Sequence, residues 1–194
     1  MQDYRDVPDG PYDAIASIGM AEHVGLSQLG EYAAHLHTLL APGGRLLNHA
    51  ISRRPGPPGD PKGDKTSFID RYVFPDGELH PLATMVDHLE SAGFEVRDVE
   101  SLREHYADTL RAWVANLERH WDEAVGLTSA GRARVWRLYM AGSALAFQSN
   151  RIGVNQVLAV KPGAGGASSW PRTRDDLLSP GRESHPGAGG GVRH

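Results

Sequence analysis

Residues 12–25 read YDAIASIGMAEHVG, an apolar segment that leads directly into the acidic residue Glu22. The pattern over Tyr12–Ile18 predicts a buried strand, and the residues after it predict the start of a helix. In open α/β sheets, ligands bind in the crevice outside the carboxyl end of a strand, so Glu22 is a candidate functional carboxylate. The helix dipole alone also favours an acidic residue in a first helical turn. Residues 12–25 by themselves leave both interpretations open.

Strand and helix patterns alternate through the rest of the chain in the manner of βαβ units. A helix is predicted over Gln28–Leu40, where leucine, tyrosine and alanine share one face, and Pro42-Gly43-Gly44 is expected to end it. The remaining strands are predicted at Arg45–Ile51, Phe94–Ser101 and Val154–Lys161. The sequence therefore predicts an α/β fold.

Helical patterns also fill the later intervals between strands. Pro81 is placed to start a helix, and Gly93 is placed to cap its end. Two further helical segments, Tyr106–Val125 and Ser129–Gln148, follow one another before the last strand. Either a lid over a substrate channel or a pair of ordinary core helices would explain these two segments.

The composition excludes several classes of protein. The chain has 194 residues, 40% of them hydrophobic, which suits one globular domain, and its net charge of −4 argues against a whole-surface nucleic-acid binder. Arg132, Arg134 and Arg137 are candidate contacts for phosphate or lipid headgroups, although a solvated helix face is the simpler interpretation. With no cysteine, the chain has neither disulfides nor a thiolate nucleophile. No apolar run reaches the roughly 20 residues of a membrane span, and we expect a cytoplasmic protein.

Two segments do not have the composition of a protein core. Residues 53–65 are dense in proline, glycine and charge, and we expect a mobile loop near the site. Residues 162–194 contain few apolar side chains and the run Gly189-Gly190-Gly191, which predicts a disordered tail. The predicted domain therefore covers residues 1–161.

The segment before the first predicted strand is short. A nucleotide-binding α/β domain normally opens with a strand, a glycine-rich turn and a helix, and no such pattern precedes Tyr12. The apolar strand Tyr12–Ile18 would also need sheet neighbours that these few residues cannot supply. We therefore expect the chain to correspond to the second half of a larger domain.

Several segments together resemble the C-terminal portion of the cyclopropane-fatty-acyl-phospholipid synthases and the related mycolic acid cyclopropane synthases. The matching strings, in order, are QDYRDV, YDAIASIGMAEHVG, LAPGGRLLNHAIS, FIDRYVFPDGEL, HYADTLRAW and RLYMAGSALAFQSNRIGVNQVLAV. These families are S-adenosylmethionine-dependent methyltransferases. The resemblance implies a Rossmann-like class I methyltransferase sheet that is N-terminally truncated, with the first strands and the glycine-rich loop missing.

The resemblance also implies a reaction and a set of site residues. The family transfers the methyl group of S-adenosylmethionine to a cis double bond of an acyl chain and then removes a proton, with a bound bicarbonate ion as the base. By resemblance, Glu22, His49 and Tyr139 are the catalytic residues that hold the bicarbonate, together with the backbone of Ile18 and Ile51. Gln2 and Asp3 match the position that contacts the adenine of the cofactor. The family's cysteine near the bicarbonate is absent from this chain.

The spacing of two of these residues supports a shared site independently. Glu22 follows the first predicted strand and His49 lies near the end of the second, and neighbouring parallel strands end at the same edge of a sheet. His49 as a satisfied core histidine and Tyr139 as a packed helix residue are the structural alternatives. No histidine pair has metal-ligand spacing, and we predict no metal site.

The implied substrate is an unsaturated phospholipid acyl chain, which requires transient contact with the inner face of the membrane. The aromatic residues that could line an acyl channel, or simply form core, are Phe68, Tyr72, Phe74, Trp113 and Phe147. A small-molecule C- or N-methyltransferase of the same fold, and an inactive half-domain that needs a partner chain, are the alternatives. We expect that the protein binds no nucleic acid. The sequence does not decide whether the chain forms a homo-oligomer.

Overall fold

Four strands form a single sheet in the part of the chain described by the computed structural model, namely residues 3–7, 10–56, 68–168 and 170–174. The strands are β1 (Tyr12–Ile18), β2 (Leu40–Arg53), β3 (Glu95–Ser101) and β4 (Ile152–Val160), and their spatial order is β1-β2-β4-β3. β2 is parallel to β1, whereas β4 is antiparallel to both of its neighbours. The α/β prediction is confirmed, as are the bounds of the first strand.

The Pro42-Gly43-Gly44 turn ends the first helix as predicted, and it also sets the alignment of β2 against β1. Gly43 has a φ of 82°, and a Cβ on Gly44 would lie 2.8 Å from the Ala41 carbonyl oxygen, so neither position suits a side chain. Across this turn the pairing jumps from Tyr12 with Leu40 to Ala14 with Arg45. β2 is therefore longer than predicted, because the strand continues through the turn as a bulge.

Helices α1 (Leu29–Leu39) and α3 (Leu82–Ser91) cover one face of the sheet. The buried positions of α1 fall on the face that the sequence predicted, and Gly93, with a φ of 100°, follows the end of α3. The main core on this face comprises Ala21, Leu29, Tyr32, Ala33, Leu36, Leu40, Leu46, Met85, Leu89, Phe94, Val157 and Ala159. This core fixes the carboxyl ends of β1 and β2, where the predicted site lies.

Helices α4 (Arg103–Arg119) and α6 (Ala130–Gln148) pack against each other and against the opposite face of the sheet. Their buried residues form a second core cluster, consisting of Ala107, Leu110, Ala144, Phe147 and Val154. The single helix predicted over residues 106–125 is interrupted at His120 and continues as α5 (Trp121–Leu127). A short helix, α2 (Phe68–Tyr72), precedes α3. α4 and α6 thus act as core helices.

β1 lies at the edge of the described sheet, and its apolar side chains are largely exposed. Ile18 is 67% exposed and Tyr12 is 37% exposed. The apolar pattern predicted a strand that needs neighbours on both sides, which the few preceding residues cannot supply, and β2 is the one partner of β1 among the residues that the structure describes.

A buried polar network joins α1 to the first two strands. The Tyr32 hydroxyl lies 2.6 Å from Ser17 Oγ and 2.9 Å from Asn48 Oδ1, and all three side chains are buried. Burial raises the pKa of Tyr32 to about 12, so the hydroxyl keeps its proton and remains a donor. The network therefore ties α1 to β1 through Ser17 and to β2 through Asn48, the residue before His49.

We expect the substitution Tyr32→Phe to lower the free energy of unfolding by about 1–3 kcal/mol, because it leaves the buried Asn48 amide without its partner. Urea unfolding of the 194-residue chain measures the change. Tyr12→Phe removes the same hydroxyl from an exposed position and should change stability by less than about 0.5 kcal/mol. Equal stabilities of the two variants would contradict an energetic role for the network.

The chain after β4 packs back on the sheet. Backbone hydrogen bonds join Lys161 to Gly43 and Gly44, the Arg45 guanidinium lies 5.7 Å from the centroid of the Trp170 ring, and Arg174 pairs with Asp98 at 2.6 Å. Trp170 and Arg174 belong to the segment predicted as a disordered tail, and the low apolar content of that segment did not reveal their contacts. Residues 175–194 lie outside the described residues, so for them the prediction stays a prediction.

Candidate active site

Glu22 lies in a short turn at the carboxyl end of β1. A single 3-10 turn, Ala21–His23, carries it, and the side chain is only 8% exposed. Its Oε1 accepts a hydrogen bond of 2.8 Å from the backbone N–H of Ile51 on β2. α1 begins only at Leu29, so the dipole of that helix does not explain Glu22.

The second carboxylate oxygen of Glu22 has no hydrogen-bond partner among the described residues, although it is buried. A buried carboxylate oxygen without a donor is costly, and such exceptions in folded proteins call for an explanation. A ligand that presents an O–H or N–H group would satisfy this oxygen. The geometry therefore favours the functional interpretation of Glu22 over the structural one.

The segment 76–80 holds the Glu22 turn from the outside. The N–H of Glu78 donates to the backbone carbonyl of Glu22 at 2.7 Å, and the Glu78 carboxylate accepts from the N–H of Leu26 at 3.0 Å. Arg53, the last residue of β2, donates through Nε to the Leu79 carbonyl at 3.1 Å. This segment therefore positions the catalytic candidate through backbone contacts, a role that the sequence analysis did not assign to it.

His49 lies on β2 beside the end of β1. It is the register partner of Ile18 on β1 and of Gln156 on β4, and the N–H of Gly19 donates to its carbonyl at 2.9 Å. Its Nδ1 lies 3.4 Å from the side-chain nitrogen of Gln156. The Tyr106 ring of α4 lies 6.4 Å from the imidazole, centroid to centroid, so His49 faces the α4–α6 side of the sheet.

Two tyrosines face the same region from the helices. Burial raises the pKa of Tyr106, and the negative charge of Glu22 raises it further. Burial also raises the pKa of Tyr139, a hydrogen bond with Ser143 opposes that rise, and the charges of Tyr106 and Glu22 add to it. Both hydroxyls therefore remain protonated at neutral pH and can donate to an anion. Both tyrosine hydroxyls therefore lie within electrostatic range of the Glu22 carboxylate.

Three aromatic side chains, Phe74, Trp136 and Tyr139, pack together and form an aromatic wall. The Phe74 ring lies 5.6 Å from Tyr139 and 6.4 Å from Trp136 in edge-to-face geometry, and Trp136 lies 5.6 Å from Tyr139. His23, next to Glu22 in the chain, packs on the other side of Phe74 at 5.7 Å. Through His23 the wall lies beside the turn that carries Glu22.

The remaining predicted site residues are Ile18, Ile51, Gln2 and Asp3. The backbone of Ile18 ends β1 beside His49, and the Ile51 N–H is bound to Glu22. Asp3 caps a 3-10 turn and pairs with Arg5 at 2.8 Å, and the Arg5 hydrogen bonds lower the pKa of Asp3 to about 2. Gln2 lies outside the described residues. The structure thus pairs Ile18 with His49 and joins the Glu22 carboxylate to Ile51 at the ends of β1 and β2, and Tyr139 lies within electrostatic range of Glu22.

The aromatic residues proposed as channel lining have different roles. Phe147 is 1% exposed and belongs to the second core, whereas Tyr72 and Trp113 are each 48% exposed. Phe74 lies in the aromatic wall, and Phe68 packs on Tyr72 at 5.5 Å. Phe147 is therefore core, and Phe74 is the member of the set nearest to the predicted catalytic residues in ring contacts.

Two of the three arginines considered for headgroup binding have partners within the chain. Arg132 donates to the Tyr72 carbonyl at 2.9 Å, and Arg137 lies 3.7 Å from the Glu118 carboxylate. Both also stack on tryptophan rings. Exposed pairs of this kind are weak and can exchange for other anions, but their present contacts fit a solvated helix face.

A small cavity of about 20 Å³ adjoins Glu22 on the α3 side of the sheet. Polar side chains from β2 and β4 line it together with Met85 and Leu82 of α3. This volume holds about one water molecule and is far too small for an acyl chain. Glu22 therefore borders a space for about one water molecule on this side of the sheet.

No group of three or more histidine, aspartate or glutamate side chains in the described ranges has a geometry that could hold a metal ion.

Tyr106, Glu78 and Gln156 are site residues that the sequence analysis missed. Tyr106 and Glu78 stand inside strings already recognised, HYADTLRAW and FIDRYVFPDGEL. Gln156 follows Asn155 in VNQVLAV, and these two polar residues stand in a strand whose other members are apolar or glycine. A polar side chain in the middle of a buried strand was the available signal.

Comparison with known proteins gives a consistent family. A sequence model described as mycolic acid cyclopropane synthetase matches residues 1–157. A probable fatty acid methyltransferase from Pseudomonas putida is 46% identical over 177 residues, which make up 90% of this chain and 45% of that protein. The region that the family model matches, residues 1–157, includes all the predicted site residues from Gln2 to Tyr139.

Two solved structures share the fold. The cyclopropane synthase MmaA2 from Mycobacterium tuberculosis has a TM-score of 0.74 and 29% identity, and the mycolic acid cyclopropane synthase CmaA1, solved with SAH and CTAB, has a TM-score of 0.72 and 30% identity. Each match covers 80% of this chain and 57% of the solved chain. The chain thus spans about half the length of the relatives that it matches.

Proposed function

Because this chain belongs to the mycolic acid cyclopropane synthetase family, we propose that the protein is a methyltransferase that modifies the double bond of an unsaturated fatty acyl chain of a phospholipid. The donor is S-adenosylmethionine, and the product is a cyclopropane or methyl-branched chain. The single observation that carries the proposal is Glu22, a buried carboxylate with one oxygen held by Ile51 and the other without a partner, at the carboxyl edge of two parallel strands. The name of the Pseudomonas relative points to the same class of substrate.

The surroundings of Glu22 suit a reaction with cationic character. S-adenosylmethionine supplies an electrophilic methyl group, and methylation of an alkene leaves positive charge on the acyl chain. Aromatic faces stabilise nearby cations, and apolar walls exclude the water that would quench them. Phe74, Trp136 and Tyr139 supply such a wall next to the carboxylate.

The donors and acceptors also fit a bicarbonate ion, which when bound would supply the base that removes a proton. Glu22 Oε2 is a buried acceptor without a donor, and the bicarbonate hydroxyl is a donor. His49 and the Tyr139 hydroxyl offer N–H and O–H groups for the remaining oxygens. The Ile51 N–H already donates to Glu22, so we assign it to orienting the carboxylate.

Asp3 is the described residue that we propose for the adenine end of the cofactor. Its carboxylate is exposed and paired with Arg5. Exposed pairs of this type contribute little stability, so the carboxylate can exchange partners at little cost. Gln2, which lies outside the described residues, completes the proposed contact.

A phospholipid substrate requires contact with a bilayer surface. No helix in the described ranges is both long enough and apolar enough to cross a membrane. We therefore propose a cytoplasmic protein that touches the inner face of the membrane only during turnover. The exposed arginines of α6 are the groups that would meet anionic headgroups.

The test is a product analysis with methyl-labelled S-adenosylmethionine and phospholipid vesicles. The complete protein is incubated with vesicles of cis-unsaturated acyl chains and, as a matched control, with vesicles of saturated chains of equal length. We expect label in the acyl chains of the first set alone, with a gain of one carbon per modified chain by mass spectrometry. Label in a soluble amine or other small molecule would overturn the proposal and favour the alternative methyltransferase.

A further inference from the structure

Gln156, to which the family resemblance assigned no role, contacts the proposed catalytic residue His49. It faces His49 across the antiparallel β2–β4 pair, and the two are register partners. Its amide nitrogen lies 3.4 Å from His49 Nδ1. Directly opposed residues on one face of an antiparallel pair lie close enough for their side chains to interact, so the contact follows from the register.

The chemistry of this contact constrains the imidazole. A neutral imidazole carries a proton on one nitrogen and a lone pair on the other. An amide N–H directed at Nδ1 needs the lone pair there, which places the ring proton on Nε2. The Nε2–H is then a donor that the strand itself does not use, and it is free to face the region shared by Glu22 and Tyr106.

Tyr106 restricts the same ring from the helix side. Its ring lies 6.4 Å from His49 and is itself held by Phe147 at 5.1 Å and by Trp113 at 6.1 Å. Phe147 is 1% exposed, so the support of Tyr106 reaches into the second core. Hydrogen bonding from Gln156 and packing from Tyr106 together define both the proton position and the orientation of the imidazole.

We propose that Gln156 is a positioning residue that fixes His49 as its Nε2–H tautomer, so that the imidazole presents a donor to an anionic group in the site. The consequence for catalysis rests on the proposed function, whereas the tautomer itself does not. Many functional histidines are set in this way by the hydrogen bond at the other ring nitrogen.

The primary experiment reads the tautomer directly. The 194-residue chain is labelled with ¹⁵N, and the histidine ring signals are recorded at about pH 8.5, where an ordinary imidazole is neutral. The signal that disappears in His49→Gln identifies the residue. We expect wild-type His49 to carry its proton on Nε2, and a proton on Nδ1 would overturn the proposal.

Two substitutions make the readout specific. Gln156→Leu removes the donor, and we expect the ratio of Nε2–H to Nδ1–H forms to fall roughly fivefold to tenfold, as one lost hydrogen bond predicts. Gln156→Glu replaces the donor by an acceptor and should move the proton to Nδ1. Gln28→Leu, the same change at an exposed position before α1, is the control and should leave the His49 signal unchanged. A ratio that is identical in wild type and in both Gln156 variants would refute the assignment.

An activity measurement separates this inference from the proposed function. In the labelled-methyl assay, Gln156→Leu should lower kcat roughly tenfold and leave KM for the cofactor nearly unchanged, because an orienting contact is lost while cofactor contacts remain. Absence of methyl transfer by the wild type would count against the proposed function and leave the tautomer result standing. Unchanged kcat in a variant whose tautomer has shifted would overturn the positioning role.

Discussion

Glu22→Gln is expected to lower kcat for methyl transfer roughly 10²- to 10⁴-fold while the protein stays folded. The range is that of a lost general base, because the substitution removes the acceptor that would hold the bicarbonate ion proposed as the base. Glutamine keeps the shape of the side chain and still offers one oxygen to the Ile51 N–H. It replaces the unpartnered acceptor Oε2 by an NH₂ donor, so it can no longer accept from a hydroxyl at that position.

The kinetic comparison uses the labelled-methyl assay with unsaturated vesicles. Glu31→Gln, which makes the same change on the exposed face of α1, is the matched control and should keep activity within about twofold, since exposed substitutions have small effects. Thermal unfolding shows whether both variants are folded. Activity of Glu22→Gln within about threefold of the wild type would remove Glu22 from the proposed mechanism, since a catalytic acid-base contact is worth far more.

Phe147→Ala is expected to reduce the free energy of unfolding by about 3–5 kcal/mol, the usual cost of deleting a fully buried phenylalanine. Domains of this kind are stable by only about 5–15 kcal/mol, so the loss is a large fraction of the total. Phe147 is 1% exposed in the cluster that joins α4 and α6 to β4, and its ring contacts Tyr106. The substitution should therefore also loosen the Tyr106 ring over His49.

Urea unfolding followed by circular dichroism measures the stability change, and the slope of free energy against urea should stay constant if the folded state is otherwise intact. Leu145→Ala lies on the same helix at 61% exposure and should cost less than about 0.5 kcal/mol. A loss of under about 1 kcal/mol for Phe147→Ala would mean that the site can collapse around the missing ring, contrary to a tightly packed second core.

Local sequence signals predicted the fold where a few adjacent residues determine the backbone. Tyr12–Ile18 was placed to the residue, and Pro42-Gly43-Gly44 marked the end of α1, because turn geometry depends on glycine at defined positions. The continuation of β2 through that turn was missed. It depends on the partner strand, where pairing resumes at Arg45 opposite Ala14.

Spacing predicted the candidate site residues that end adjacent parallel strands, and the family resemblance added Tyr139 on α6. Gln156 and Tyr106, which come from other elements farther along the chain, were missed. Glu22 and His49 follow from the βαβ order, since β1 and β2 are neighbours. Gln156 depends on the antiparallel register of β4, and Tyr106 depends on the face that α4 turns toward the sheet. Periodicity shows which face of an element is buried, but it does not show which residue of another element lies opposite that face. The contact of segment 76–80 with Glu22 likewise arises from tertiary packing.

The exit of the chain from β4 has a practical consequence for experiments on this protein. β4 runs antiparallel to β2, so Val160 pairs with Arg45, whereas the site lies around His49 to Ile51. At about 3.3 Å per residue along a strand, the exit is on the order of 13 Å or more from the imidazole, toward the opposite edge of the sheet. A surface tether attached through an introduced cysteine near Gly163, just after β4, should therefore leave access to Glu22 unobstructed. Attachment through an introduced cysteine near Ile18 should block it.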